Sequence, residues 1–128
     1  MKALSLRQPM AWAIFHGKDI ENRTWKLPAY GFSPPDRIYI HASKEFDMEH
    51  WRWIADNDNR LCTFIPDYDS PVFVRGALIG EVDIVDCVRN HSSHWFFGPY
   101  GFVLRNPIEY KIPIPCKGKL GFFTPEVK

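Results

Sequence analysis

The stretch GALIGEVDIVDCV, residues 76–88, is the longest candidate strand in a chain of 128 residues. Glu81 and Asp83 fall on one face of it, and Gly80 inside it marks a bulge or a close backbone approach. Downstream, YGFVLRNP (100–107) sets Tyr100, Phe102 and Leu104 on one face, and Pro107 is expected to close the strand. Tyr110–Ile112 and Lys119–Phe123 read as short final strands, separated by Pro113, Pro115 and Gly118. Upstream, RIYIHAS (37–43) places Ile38, Ile40 and Ala42 on one face and Tyr39 and His41 on the other. Ser43 reads as the cap of a helix from about Lys44 to Ala55, with Phe46, Trp51 and Ile54 on its buried side. Residues 56–71, rich in Asp, Asn and Pro, read as irregular, as does the Pro- and Gly-bearing stretch 27–35. Before that loop, Ala3–Leu6 reads as an opening strand, RQPMAWAIFHG (7–17) as a short helix ended by Gly17, and DIENRTW (19–25) as an alternating strand. Two helices with five or six short strands predict an α+β fold, a small and mostly antiparallel barrel forming one domain over residues 1–128.

The bulk numbers bound the function. Apolar residues make up 45% and charged residues 24%, so the chain folds without needing a staple. A net charge of +1 argues against gripping long nucleic acid mainly by counterion release. The charge is uneven, however. Residues 1–26 carry Lys2, Arg7, Lys18, Arg23 and Lys26 against Asp19 and Glu21; residues 36–69 hold eight acids against four bases. A basic face is therefore compatible with a neutral total. Cys62, Cys87 and Cys116 match no zinc or redox spacing, which implies a reduced setting. With no membrane-length apolar run, a cytoplasmic protein without a membrane partner is expected, and no cofactor is.

The densest polar group is GKDIENRTW (17–25). Glu21 and Arg23 lie two apart on a strand, so they face the same way, with Lys18 just after the glycine that ends the helix. A cation, an acceptor and a five-donor fork within reach of one another can hold a base edge or a phosphate. The same three residues can equally form an ion pair that only fixes the strand.

Six blocks in order, LSLRQPMAWAI, GKDIENRTW, RIYIHASK, GALIGEVDIVDC, FGPYGFVLRNP and IPCKGKLGFF, resemble the activating-signal-cointegrator homology (ASCH) domain family, from Leu4 to about Phe123. The resemblance implies a β-barrel similar to the RNA-binding PUA domains, with a polar cleft between the first helix and the barrel. It implies RNA or a nucleotide-like molecule as ligand, and favours a functional site over the plain ion pair. The family's cleft pattern maps onto Gln8, Pro9, Lys18, Glu21 and Arg23, with Trp25 and His41 matching less specifically. One branch of the superfamily contains amidohydrolases acting on acetylated cytidine; their lysine corresponds to Lys18, but their threonine nucleophile is replaced here by Glu21. Thr24 is out of register. A hydrolase of RNA or a modified nucleoside would use Lys18 and Glu21 as catalytic groups, with Glu21 as base on water and Lys18 at the oxyanion. Other relatives implied by the resemblance are ribonucleases.

Outside this group, Lys44 can add a phosphate contact and His41 a hydrogen-bonding or acid–base group in the cleft. The nucleic-acid-binding set is thus Gln8, Lys18, Glu21, Arg23, His41 and Lys44. His91 and His94 stand three apart without a convincing third ligand, so no metal is expected. Glu81 and Asp83 read as solvated, or as a pair for acid–base work. Tyr100, between Pro99 and Gly101, can show a ring to a ligand, with core packing as the alternative. A protein-interaction domain with a protein partner is the remaining function class, and Pro and Lys near several strand edges favour a monomer.

Overall fold

The computed structural model describes residues 1–61 and 63–127, and among these lie six strands and two helices. In chain order they are β1 (Ala3–Gln8), α1 (Met10–Ala13), β2 (Ile20–Arg23), β3 (Asp36–Phe46), α2 (Met48–Leu61), β4 (Ala77–Val88), β5 (Tyr100–Pro115) and β6 (Phe122–Phe123). All six strands belong to one sheet in the order β2-β5-β4-β3-β1-β6. Only β1 and β3 run parallel; the other pairs are antiparallel. The fold is mixed α+β, and the sheet curls into a half-barrel with β2 at one end and β6 at the other.

Alternation decides which side chains fill the curl. Ile38, Ile40 and Ala42 are fully buried in the main core, together with Ile20, Phe102 and Ile54 of α2. On the other face of β3, Tyr39 packs on a small cluster of Ala3, Leu78 and Phe123. Gly80 sits at a register shift between β4 and β5, and a Cβ there would run into the Phe15 ring and the Ile108 carbonyl oxygen. Both the bulge and the close approach expected of it are present.

Several boundaries differ from the sequence expectation. β3 does not stop at Ser43 but pairs with β1 as far as Gln8↔Phe46, so Ser43 and Lys44 are strand residues. The helix begins after Asp47, whose Oδ1 accepts the His50 N–H at 3.0 Å; Asp47, not Ser43, is the cap. α2 then runs through the Asp- and Asn-rich stretch to Leu61, because Ile54 and Leu61, seven apart, both reach the core. Burial there overrides weak helix propensity, at the cost of a non-helical Asn57 (φ −124°, ψ 16°). α1 is a single turn, and all four of its residues are buried. Pro107 does not close a strand. β5 passes through it on a bulge, where Asn106 has φ 54° and three β5 steps match two of β4. The separate strand expected over Tyr110–Ile112 is part of β5, and the last strand shrinks to Phe122–Phe123.

Glu81 and Asp83, on the face opposite Val82 and Ile84, are neither free nor poised for acid–base work. Arg37 donates Nε to Glu81 at 2.6 Å and Nη1 to Asp83 at 2.8 Å. Hydrogen bonds from Arg37 and Tyr110 hold the Glu81 carboxyl below its ordinary range, and those from Asn106 and Arg37 hold that of Asp83 below its own. His91 Nδ1 accepts the Ser93 N–H within a local turn. Among the described residues no three His, Cys, Asp or Glu side chains gather as a metal cluster, and no helix is long and apolar enough to cross a membrane. Cys87 and Cys116 are free thiols; Cys62 lies outside the described residues.

Candidate functional site

The two ends of the curled sheet leave a seam. β6 pairs with β1 only at Ala3 and Leu4, so from Ser5 onward that edge of β1 has no strand partner among the described residues. β2 approaches from the far end of the sheet, pinned to β5 by the register Glu21↔Phe102 and Arg23↔Tyr100. Arg23 spans the gap. Its Nη2 donates to the Ser5 carbonyl at 3.0 Å, doing for β1 what a neighbouring strand's N–H would have done.

Glu21 lies between two cations. Lys18 Nζ donates to Glu21 Oε1 and to the Ile20 carbonyl, both at 2.6 Å, and Arg23 Nε donates to Glu21 Oε2 at 2.9 Å. Lys18 is 3% exposed and Glu21 8%. Gly17 (φ 116°) ends the turn after α1, and the Lys18 N–H caps it on the Ala13 carbonyl; this delivers the lysine to the seam. Burial lowers the pKa of Lys18, with the Glu21 charge opposing it in part. Burial alone would raise that of Glu21, but the charges and hydrogen bonds of Lys18 and Arg23 outweigh it and hold the carboxyl below its ordinary range. The triad carries one net positive charge, with both carboxylate oxygens engaged. The ammonium has three N–H groups and two acceptors among the described residues; Arg23 Nη1 likewise has no acceptor there.

These groups line a cleft of about 690 Å³. Met10 of α1, Asp47 and His50 at the start of α2, and Phe97 also face it. Asn22 builds the wall that carries Phe97. Its Oδ1 accepts the N–H groups of Phe97 (2.7 Å) and Gly98 (3.0 Å), and its Nδ2 donates to the Trp95 carbonyl at 2.9 Å. Phe97 is 58% exposed and rests edge-on against Trp53 of α2, at 4.9 Å between ring centres.

The six binding candidates do not all converge. Lys18, Glu21 and Arg23 meet in the cleft. Gln8 is fully buried, and its amide joins Val74 O (2.8 Å) to the Trp12 N–H (2.8 Å), so both ends are occupied by backbone. His41 and Lys44 line a second cavity beside the first, separated from it by Ser5, Arg7 and Leu120, which border both. His41 is 2% exposed; its Nδ1 is 2.8 Å from Ser5 Oγ and its Nε2 is 2.7 Å from the Cys116 carbonyl. Trp25 packs edge-on against Phe102 and Phe122, tying the seam together below the cleft. Tyr100 lies under the Arg89 guanidinium, 5.8 Å from ring centre to carbon, and it is Phe97 that presents an exposed ring. The reading of the sequence missed Phe97, Asn22 and Ser5. Asn22 was in plain view between Glu21 and Arg23, but its partners are over 70 residues away.

No family model matches the chain. Activating signal cointegrator 1 of Homo sapiens is 28% identical over 132 residues, which cover 90% of this chain and 20% of that protein. Its Mus musculus counterpart is 27% identical with the same coverage. Transducin beta-like protein 3 of Bos taurus is 28% identical over 86 residues, 60% of this chain and 11% of that protein. The chain spans about a fifth or less of the length of these curated relatives. It is thus similar, along 90% of its residues, to a segment of the protein whose name the ASCH family bears.

Proposed function

We propose that the protein binds single-stranded RNA, or a nucleotide-like part of it, in the seam cleft without transforming it, on a PUA-like half-barrel. The observation that carries this reading is the buried Lys18–Glu21 pair, with the half-buried Arg23 on it, facing an exposed aromatic ring. The net positive charge and the unused N–H groups of Lys18 and Arg23 suit a phosphate or a base edge, held in a niche where such bonds are strong. Phe97 supplies a stacking surface, which every base can use. The ASCH resemblance and the similarity to Activating signal cointegrator 1 point the same way.

The triad's own geometry disfavours the hydrolase reading. A base on water needs a free oxygen and a pKa near the working pH. Both Glu21 oxygens accept hydrogen bonds from cations, and its pKa is lowered rather than raised. Glu21 acts by holding Lys18 and Arg23 in place.

The test is fluorescence anisotropy of a labelled single-stranded RNA, with the RNA run on a gel afterwards. Arg23→Ala and Phe97→Ala are each expected to weaken binding by about 1–3 kcal/mol while circular dichroism stays native. Wild-type affinity in both variants contradicts the proposal, and cleaved RNA replaces it with the hydrolase.

A further inference from the structure

The second cavity, about 570 Å³, continues the cleft past Ser5, Arg7 and Leu120. Its charged lining is Arg7, Lys44, Lys117 and Lys119 against Glu45 alone, and Glu45 is paired with Arg7 at 2.8 Å. Inside this basic rim, the Ser43 hydroxyl oxygen is buried without a hydrogen-bond partner among the described residues. A buried hydroxyl is normally satisfied, so one left open at the wall of a cationic cavity points to an oxygen-bearing ligand. Beside it, the carbonyl of Cys116 only accepts, so His41 Nε2 carries a proton and the ring is fixed in place next to Ser5 Oγ. Gly118 packs directly on that pair. A Cβ there would sit 2.6 Å from Ser5 Oγ and 2.7 Å from His41 Cε1, so only glycine lets the turn that carries Lys117 and Lys119 lie this close to the cavity wall. Lys117 and Lys119 flank this glycine, both exposed.

We infer that this cavity is a phosphodiester subsite, so that the ligand is an RNA strand crossing Ser5–Arg7 rather than a free nucleoside or nucleotide. The inference rests on the cleft reading above and extends it. One nucleotide occupies the cleft at Lys18, Arg23 and Phe97. The backbone of its neighbour lies over the second cavity, with phosphate oxygens toward Ser43 and the two lysines. Phosphate contacts of this kind position a strand and are read through salt.

The experiment compares nucleoside monophosphates with a short labelled single-stranded RNA, by calorimetry and anisotropy, on wild type, on K117E/K119E and on Ser43→Ala. The strand should bind at least about tenfold more tightly than any monophosphate. K117E/K119E should lose about tenfold or more on the strand, with the slope of log affinity against log salt falling by about 1.4 for two lost contacts, and no change on the monophosphate. Ser43→Ala should lose several-fold on the strand with stability unchanged or raised, since it removes an unsatisfied hydroxyl and no bond of the fold. Equal affinity for strand and monophosphate, with both variants like wild type, overturns the subsite and leaves the cleft standing. No binding of either probe overturns both. A DNA strand of the same sequence held more tightly than the RNA overturns the RNA assignment.

Discussion

Glu21→Gln is expected to destabilise the protein by about 3–5 kcal/mol in chemical denaturation, the cost typical of removing one partner from a buried ion pair. Among the described residues Glu21 is the only carboxylate bonded to Lys18 and Arg23, and Lys18 is 3% exposed. The glutamine keeps the shape and some hydrogen-bonding capacity, yet it leaves the buried Lys18 ammonium without a counter-charge and beside a second cation, the half-buried Arg23. Against a typical total stability of about 5–15 kcal/mol, that is a large fraction. The pH dependence follows from the lowered pKa of Glu21. Its contribution to stability is fully present above the ordinary carboxyl value of 4.5 and is lost as the pH falls through the lower native value. Wild type should therefore shed this stability in acid, and the variant should lack that component. The linkage for Lys18 has the same sign. Its native pKa is already lowered by burial, and losing Glu21 lowers it further, so the variant should regain stability as the pH rises toward 10.5 and the ammonium is neutralised. A variant as stable as wild type at neutral pH, with the same acid limb, contradicts the triad's role.

Phe102→Ala should cost about 3–5 kcal/mol as well, through lost transfer energy and the cavity left behind. Phe102 is fully buried, sits opposite Glu21 in the ladder, and touches Trp25 at 5.4 Å and Phe122 at 6.2 Å between ring centres. Those rings come from β5, the segment after β2, and β6, so they close the seam by packing where no strand pairing does. Truncation should loosen the cleft along with the core, and RNA affinity should fall with stability. Leu120→Ala is the matched comparison: the side chain is 92% exposed, and its removal should change stability by about 0.5 kcal/mol or less. Similar stability losses in the two variants would show that the seam is not held this way.

Much of the architecture was legible wherever alternation meets a buried face. Residues 76–88 and 37–43 were read as strands because Val82 and Ile84, and Ile38 and Ile40, recur every second residue. Local signals failed where packing overrides them. Pro107 reads as a stop, but a bulge absorbs its missing N–H and β5 continues. Asp56, Asn57, Asp58 and Asn59 read as a loop, but Leu61 draws the helix past them into the core. Lys44 reads as the start of a helix, but pairing with β1 keeps it extended and turns it to the second cavity. The triad was legible because its members lie within six residues and its spacing is that of a strand. Ser5 and His41 are 36 residues apart, and Asn22 and Phe97 are 75 apart. Only the sheet order and the seam bring them together, and no periodicity records that.

The central claim is that RNA lies in the seam between β2 and β1. The most direct measurement is the amide and arginine Nε–H spectrum of labelled protein, recorded by NMR as a short single-stranded RNA is added. The expected result is that the Arg23 Nε–H and the backbone amides of Ser5, Arg7, Asn22 and Phe97 shift together and saturate together. Shifts confined to the Arg37–Glu81–Asp83 face, or a spectrum unchanged at saturating RNA, would contradict it.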